Sequence, residues 1–351
     1  MEQATDTPPT AANDDTWTPR YVDPNIPPYE PGAISMPVSK RWLTADGRAR
    51  ISGSDHGRWI MERLCEAFQA RHAGIRFDVD LCGTPSAMAF LTSGRSMLSV
   101  MGREITPVET VPYGKRIGAP PVGIRIAHAA EETAQHLATS LAVYVHRSNP
   151  LAKLTQLQLS QIFSIGNAQG DYSRWGQLGL DGEWRGRLIH PIGTPEFTGF
   201  GTYMQAHHLA GRPLSPIYER YIGTDDVLAR LEADPSGIAV AAIGRDTDLI
   251  RSVPIAMTGD DHFSTGSTED VRHGRYAFGR FLYAYVPKKR GQPLDPLTAE
   301  YLRFVLSLEG QTIIAQQPRG YIPLRPNEVA EERTKLDIVI PFDAATAKEV
   351  N

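Results

Sequence analysis

From about residue 41 the chain alternates short apolar runs with stretches whose apolar residues return at helical spacing, and this alternation constrains the fold most. Arg48-Ala49-Arg50-Ile51-Ser52 predicts a short strand running into a loop at Gly53-Ser54. Ile60, Met61, Leu64, Cys65 and Phe68 then recur with the period of an amphipathic helix. Ile75, Phe77, Val79 and Leu81 alternate with polar residues and predict a strand. Thr84-Pro85 opens a second helix, since Thr caps well and Pro suits the first helical position; Met88, Phe90 and Leu91 are its apolar residues. Leu98 to Met101 reads as a short buried strand. Strand–helix–strand–helix–strand implies a mostly parallel sheet with helices on its faces.

A second set of elements begins near Leu141. Leu141 to Val145, Leu188 to Ile192, Gly237 to Ala241 and Phe281 to Val286 predict strands. Leu157, Leu159 and Ile162 mark a short helix, Thr202 to Leu209 another, and Val227, Leu228 and Leu231 a third. Tyr301 to Ile314 predicts one further helix, and no internal repeat of fixed period occurs.

The 351 residues are enough for two medium-sized lobes, and the 41% apolar, 22% charged composition is that of a soluble globular protein. Net charge is −4 with no basic stripe, which argues against nucleic acid as a partner. No run approaches the roughly 20 apolar residues of a membrane helix. The N-terminus has neither a basic start nor an apolar signal core, leaving a cytoplasmic protein or a mature exported domain. Pro8, Pro9, Pro19, Pro24, Pro27, Pro28, Pro31 and Pro37 lie among small polar and acidic residues in a segment spanning 1–40. That composition predicts an extended, poorly packed arm, either a spacer to a membrane anchor or a tail without a role. A short tail, 341–351, ends the chain. Cys65 and Cys82 are the only cysteines, in no metal or redox spacing. They are read as two buried free thiols, with a disulfide as the alternative in an oxidising compartment.

Several segments, in order, resemble the phosphate-binding family of bacterial solute receptors over about residues 48–326. The Gly53-Ser54 loop, Gly83-Thr84-Pro85-Ser86 with Ala89-Phe90-Leu91, and Gly102-Arg103-Glu104 are similar to that family's first two ligand loops and its S-R-E strand ending. Asn149-Pro150-Leu151 with Leu154-Thr155 and Ile162-Phe163, then Trp175 to Gly179, match further stretches. So do Tyr276, Arg280 and Tyr283, and Glu309-Gly310-Gln311 with Gly320 to Leu324. The resemblance implies a two-lobed α/β fold of the type 2 periplasmic-binding-protein kind, each lobe a mostly parallel sheet flanked by helices. Two hinge strands would join lobe 1 (41–139 plus 277–340) to lobe 2 (140–276). It further implies a monomeric, non-enzymatic receptor, periplasmic or extracellular and anchored through its arm. Such a receptor captures an oxyanion for an ABC-type membrane transporter.

Helix starts bind oxyanions because their first N–H groups are unpaired and lie at a positive dipole end. The ligand-binding candidates are Ser54, Asp55 and His56 in loop one, Thr84 and Ser86 in loop two, Arg103, and Glu196, Phe197, Thr198, Gly199 and Phe200 in loop three. Each is also readable as an ordinary cap. The family's arginine before loop three falls at Gly193, and no arginine occurs between Arg187 and Arg212. The acidic residue often found in that family near the end of the second strand segment is replaced, with Met97 and Gly102 at the nearest places. Arg58, Arg103 and His56 are candidates for the missing charge, which a desolvated dianion needs. Phe197 and Phe200 suit an apolar or flat ligand, so a larger organic ligand, or a partner module with a degenerate site, stands as the alternative. No catalytic or metal residue is assigned and no cofactor expected. Ser54-Asp55-His56 is too local for a triad, and His207-His208 are neighbours rather than i and i+4. That His pair is read as a partly exposed surface feature.

Overall fold

The computed structural model describes residues 19–129, 139–317 and 320–342; residues 1–18 of the expected arm and 343–351 of the expected tail lie outside them. The chain first forms β1 (Ala49–Gly53), α1 (Arg58–Gln69), β2 (Phe77–Asp80), α2 (Thr84–Thr92), β3 (Leu98–Met101), α3 (Pro107–Ile117) and β4 (Val122–His128). It continues with β5 (Leu141–His146), β6 (Leu154–Thr155), α4 (Gln156–Phe163), β7 (His190–Gly193), α5 (Gly199–His207), β8 (Glu219–Arg220) and α6 (Thr224–Glu232). Then come β9 (Gly237–Ala242), β10 (Ile250–Val253), β11 (Ile255–Ala256) and α7 (Thr268–Arg272). The return consists of β12 (Phe281–Val286), α8 (Pro296–Val305), α9 (Leu308–Ala315) and α10 (Pro326–Asp337).

These elements make two α/β lobes. One sheet has the order β2-β1-β3-β12-β4 and the other β10-β5-β9-β7-β8, with β6 and β11 paired separately. Both are mixed rather than mostly parallel. In the first, β12 enters from the opposite direction and runs antiparallel to β3 and β4; in the second, β5 runs antiparallel to β9 and β10. Each sheet has its own core, the first around Ile51, Leu64, Phe68, Val100, Leu282 and Phe304, the second around Val143, Phe163, Trp175, Ile192, Val240 and Phe278. The chain leaves the first sheet after β4 and returns into β12, where Phe281 pairs with His128. Outgoing and returning segments therefore start side by side.

Three expectations need correction. The single helix over 301–314 is two, because Ser307 ends the first run and its hydroxyl accepts from Gly310 N to start α9. The arm is not poorly packed over 19–40: Ile26 and Tyr29 are buried in the first core. There the Tyr29 hydroxyl donates to Glu300 at 2.7 Å and its N–H to Glu309 at 2.7 Å. Cys65 is buried but Cys82 is exposed, and both are free thiols.

Candidate functional site

Loop one closes tightly because Gly53, at φ +140°, lies against the Val100 carbonyl, where any side chain would collide. The buried Ser54 hydroxyl then accepts from His56 N at 3.4 Å, opening a short 3-10 turn over Asp55–Gly57. In loop two, α2 starts after Gly83 with no side-chain cap, and the Ser86 hydroxyl turns back to donate to Gly83 O at 2.7 Å. In loop three, the Thr198 hydroxyl accepts from Gly201 N at 3.0 Å and caps α5. Gly201 packs so closely on the Pro195 carbonyl that no side chain fits there. The helix α6 also begins without a side-chain cap, at Gly223-Thr224. Uncapped first turns leave N–H donors available to a ligand.

The starts of α2, α5 and α6 meet at one open cleft of about 370 Å³ between the two sheets. The first-lobe wall carries His56, Thr84, Gly102 and Arg103. The second-lobe wall carries Thr194, Phe197, Thr198, Gly199 and Phe200, with Ile222 and Thr224 beside them. Thr139 and Arg280, near the crossing segments, complete the lining. Seven of the sequence candidates thus come together: His56, Thr84, Arg103, Phe197, Thr198, Gly199 and Phe200. Four do not line the cleft. Ser54 is wholly buried in its cap, Asp55 points to solvent, Ser86 is spent on Gly83, and Glu196 pairs with Arg220 at 3.2 Å. Arg58 is also elsewhere, exposed and donating to Leu81 O at 2.9 Å.

Charge at the cleft comes from two arginines in opposite situations. Arg103 is held by Glu109 through two 2.8 Å hydrogen bonds, so its charge is matched before any ligand arrives. Arg280 is buried at 3% exposure, and its guanidinium carbon lies 5.3 Å from the Phe200 ring centre and 4.9 Å from that of Tyr203. Its Nη1 donates to Thr139 O at 3.1 Å and its Nη2 to Gly102 O at 3.0 Å, while Nε has no hydrogen-bond partner among the described residues. Burial pulls the Arg280 guanidinium below its ordinary value and Glu104 opposes that pull; an arginine so placed still keeps its proton. Burial pushes Glu104 up, but His207 and Arg280 outweigh it and hold the carboxyl below the usual range.

The chain is 29% identical to the phosphate-binding protein PstS of Pseudomonas aeruginosa over 317 residues, 90% of this chain and 91% of that protein. It is a homologue of that phosphate-binding protein. No protein-family model matches the sequence. The fold is similar to an ABC-type phosphate transport receptor from Vibrio cholerae, at TM-score 0.53 and 17% identity, covering 78% of this chain and 99% of the receptor. It is also similar to PstS from Borrelia burgdorferi, at TM-score 0.52 and 14% identity, covering 79% and 98%. At those identities the likeness bears on fold.

Gly193, where the family resemblance places an arginine, packs against the Tyr218 hydroxyl, so a side chain there would displace it. Arg280 is a cation that the sequence reading left on the return strand without a role at the site. Its delivery to the cleft depends on β12 lying next to β3, a non-local pairing that no local pattern reveals. Thr139, Thr194, Ile222 and Thr224 were also missed; only Thr224, at a Gly-Thr helix start, carried a readable signal. Among the described residues no cluster of three or more metal-ligating side chains occurs, and no helix is long and apolar enough to cross a membrane. The His207-His208 pair is only half as expected. His207 is 44% exposed, while His208 is buried, and burial, with His207 beside it, lowers its pKa to about 3.

Proposed function

We propose that the chain is an extracytoplasmic, non-enzymatic receptor that captures phosphate between its two lobes and presents it to an ABC-type transporter. One observation carries this reading: three helix starts and a buried arginine whose Nε has no partner among the described residues meet in one interlobe cleft. Kinship with a phosphate-binding protein supports it. Phosphate is an anion rich in acceptor atoms, and backbone N–H groups, threonine hydroxyls and a guanidinium are the donors that hold such a group. Residues 41–139 with 277–340 would move against 140–276, the crossing segments taking up the rotation. The closed pair is what a transporter would recognise. A monomer suffices, since the cleft is built within one chain, and residues ahead of the packed arm would lead to the membrane.

Calorimetric titration of exhaustively dialysed protein with phosphate near neutral pH tests the reading. Saturable binding at about 1 μM or tighter, some −8 kcal/mol, that weakens in a Thr84→Ala/Thr198→Ala variant is the expected outcome. Absence of heat and of thermal stabilisation would remove phosphate as the ligand.

A further inference from the structure

Two features of the cleft are poorly suited to inorganic phosphate alone. The first is its mouth. Phe197 is 80% exposed and Ile222 68% exposed, yet both line the cavity from the second-lobe wall, with Phe200 deeper on the same side. Large apolar side chains held open beside a polar site await apolar surface. The cavity, at about 370 Å³, also falls in the roughly 300–1,000 Å³ range of sites for organic molecules.

The second is the balance of donors and acceptors. None of the described residues lining the cleft is an Asp or Glu. The nearby carboxylates are committed elsewhere or lie outside the lining: Glu109 is held by Arg103 and Thr106, Glu196 by Arg220, and Glu104 by Tyr283 and His207 through Oε1, its buried Oε2 being no part of the cleft wall. Of the threonine hydroxyls, that of Thr198 already accepts from Gly201 N and that of Thr224 from Ala242 N. Inorganic phosphate near neutral pH carries at least one O–H, which loses a hydrogen bond if buried without an acceptor. A phosphate monoester, whose second ionisation lies near pH 6, is acceptor-only above that pH and carries an organic group in place of the hydroxyl.

We infer that the cleft takes a phosphate monoester with an apolar or aromatic body. The phosphoryl group sits among Thr84, Arg280 and the helix starts, and the body lies against Phe197 and Ile222. This rests on the reading of the cleft as a phosphate site and deepens it.

Titrations at pH 8 with phenyl phosphate, glycerol 3-phosphate and inorganic phosphate test it. Phenyl phosphate is expected to bind at least tenfold more tightly than either of the others. In a Phe197→Ala/Ile222→Ala variant, whose unliganded melting temperature checks the fold, the ratio of phenyl phosphate to inorganic phosphate affinity should collapse toward one. Inorganic phosphate binding as tightly as phenyl phosphate, or a ratio untouched by the double substitution, overturns the inference and leaves the phosphate reading standing. Binding of none of the three overturns both.

Discussion

Along β4 and α10, both oxygens of each buried carboxylate are met. Glu328 holds His128 at 3.0 Å and Arg325 at 3.0 Å, and Glu332 receives Arg125 and Lys335, the latter at 2.8 Å through both oxygens. Behind the cleft the arrangement differs. Among the described residues the buried carboxylate Glu104 keeps an unpartnered Oε2, and Arg280 an unpartnered Nε as Arg325 does beside Glu328. A buried polar atom without a partner costs roughly 1–3 kcal/mol, so a fold retains one where something else depends on it. The paired region serves stability. Of the unmet groups near the cleft, Arg280 is the one that lines it, and there a ligand can supply what the protein lacks.

The sharpest way to break this contrast is at its paired end. Glu332 has no exposed surface, and Glu332→Ala would leave Arg125 and Lys335 without their shared partner. Removing one side of a buried pair costs about 3–5 kcal/mol, to be read in denaturant unfolding, while phosphate affinity of the folded fraction should not move. A loss below about 1 kcal/mol would mean that these charges are as loosely placed as surface ones.

Next in size is an acid effect. Burial pushes Glu328 up, but His128 and Arg325 outweigh it and lower its pKa from 4.5 to about 2. A depressed carboxyl binds fewer protons folded than unfolded, so its stabilisation is present above about 4.5 and lost as pH falls toward 2. The span corresponds to about 3 kcal/mol. Glu328→Gln should lower stability at pH 6 and flatten the stability–pH curve across that window. An unchanged curve would assign the acid sensitivity elsewhere.

At the unpaired end, Arg280→Lys keeps the charge but loses the fork of donors. Affinity for phosphate should fall at least tenfold, about 1.4 kcal/mol, with a smaller change in unfolding free energy. The reverse ranking, stability hit harder than affinity, would place Arg280 with the structural pairs and erase the distinction.

The two regions were also unequally legible. Strands β3, β9 and β12 follow from short β-branched or aromatic runs, and α1 from its apolar stripe. By contrast α10, PNEVAEERTKLD, buries Glu328 and Glu332 as well as Val329 and Leu336, so its inward face looks polar in one dimension. The helix α3 hides behind Pro112 and is started by the Thr106–Glu109 capping box, which also anchors Arg103. Loop positions such as Thr84 and Thr198 were readable because helix starts have local chemistry. Arg280 was not, since the neighbour that brings it to the cleft is 178 positions away at Gly102. Charge placed by topology leaves little trace in sequence.

The smallest effect probes the boundary between the two regimes. Glu104 belongs to the first-lobe strand ending and His207 to α5 of the second lobe, and they meet at 3.5 Å between the lobes. Glu104 also accepts from the Tyr283 hydroxyl at 3.1 Å and feels Arg280, while the His207 ring lies 4.8 Å from that of Tyr203 and beside His208. With His207 44% and Glu104 25% exposed, the pair behaves as a solvent-screened contact of about 0.2–1 kcal/mol. It forms between lobes, so its weight belongs in ligand affinity rather than in unfolding. His207→Ala should therefore weaken phosphate binding about two- to fivefold while leaving the unfolding free energy nearly unchanged. Affinity untouched by the substitution would show that the pair does not help hold the lobes together. Weaker binding at unchanged stability would identify a charge contact that belongs to closure itself.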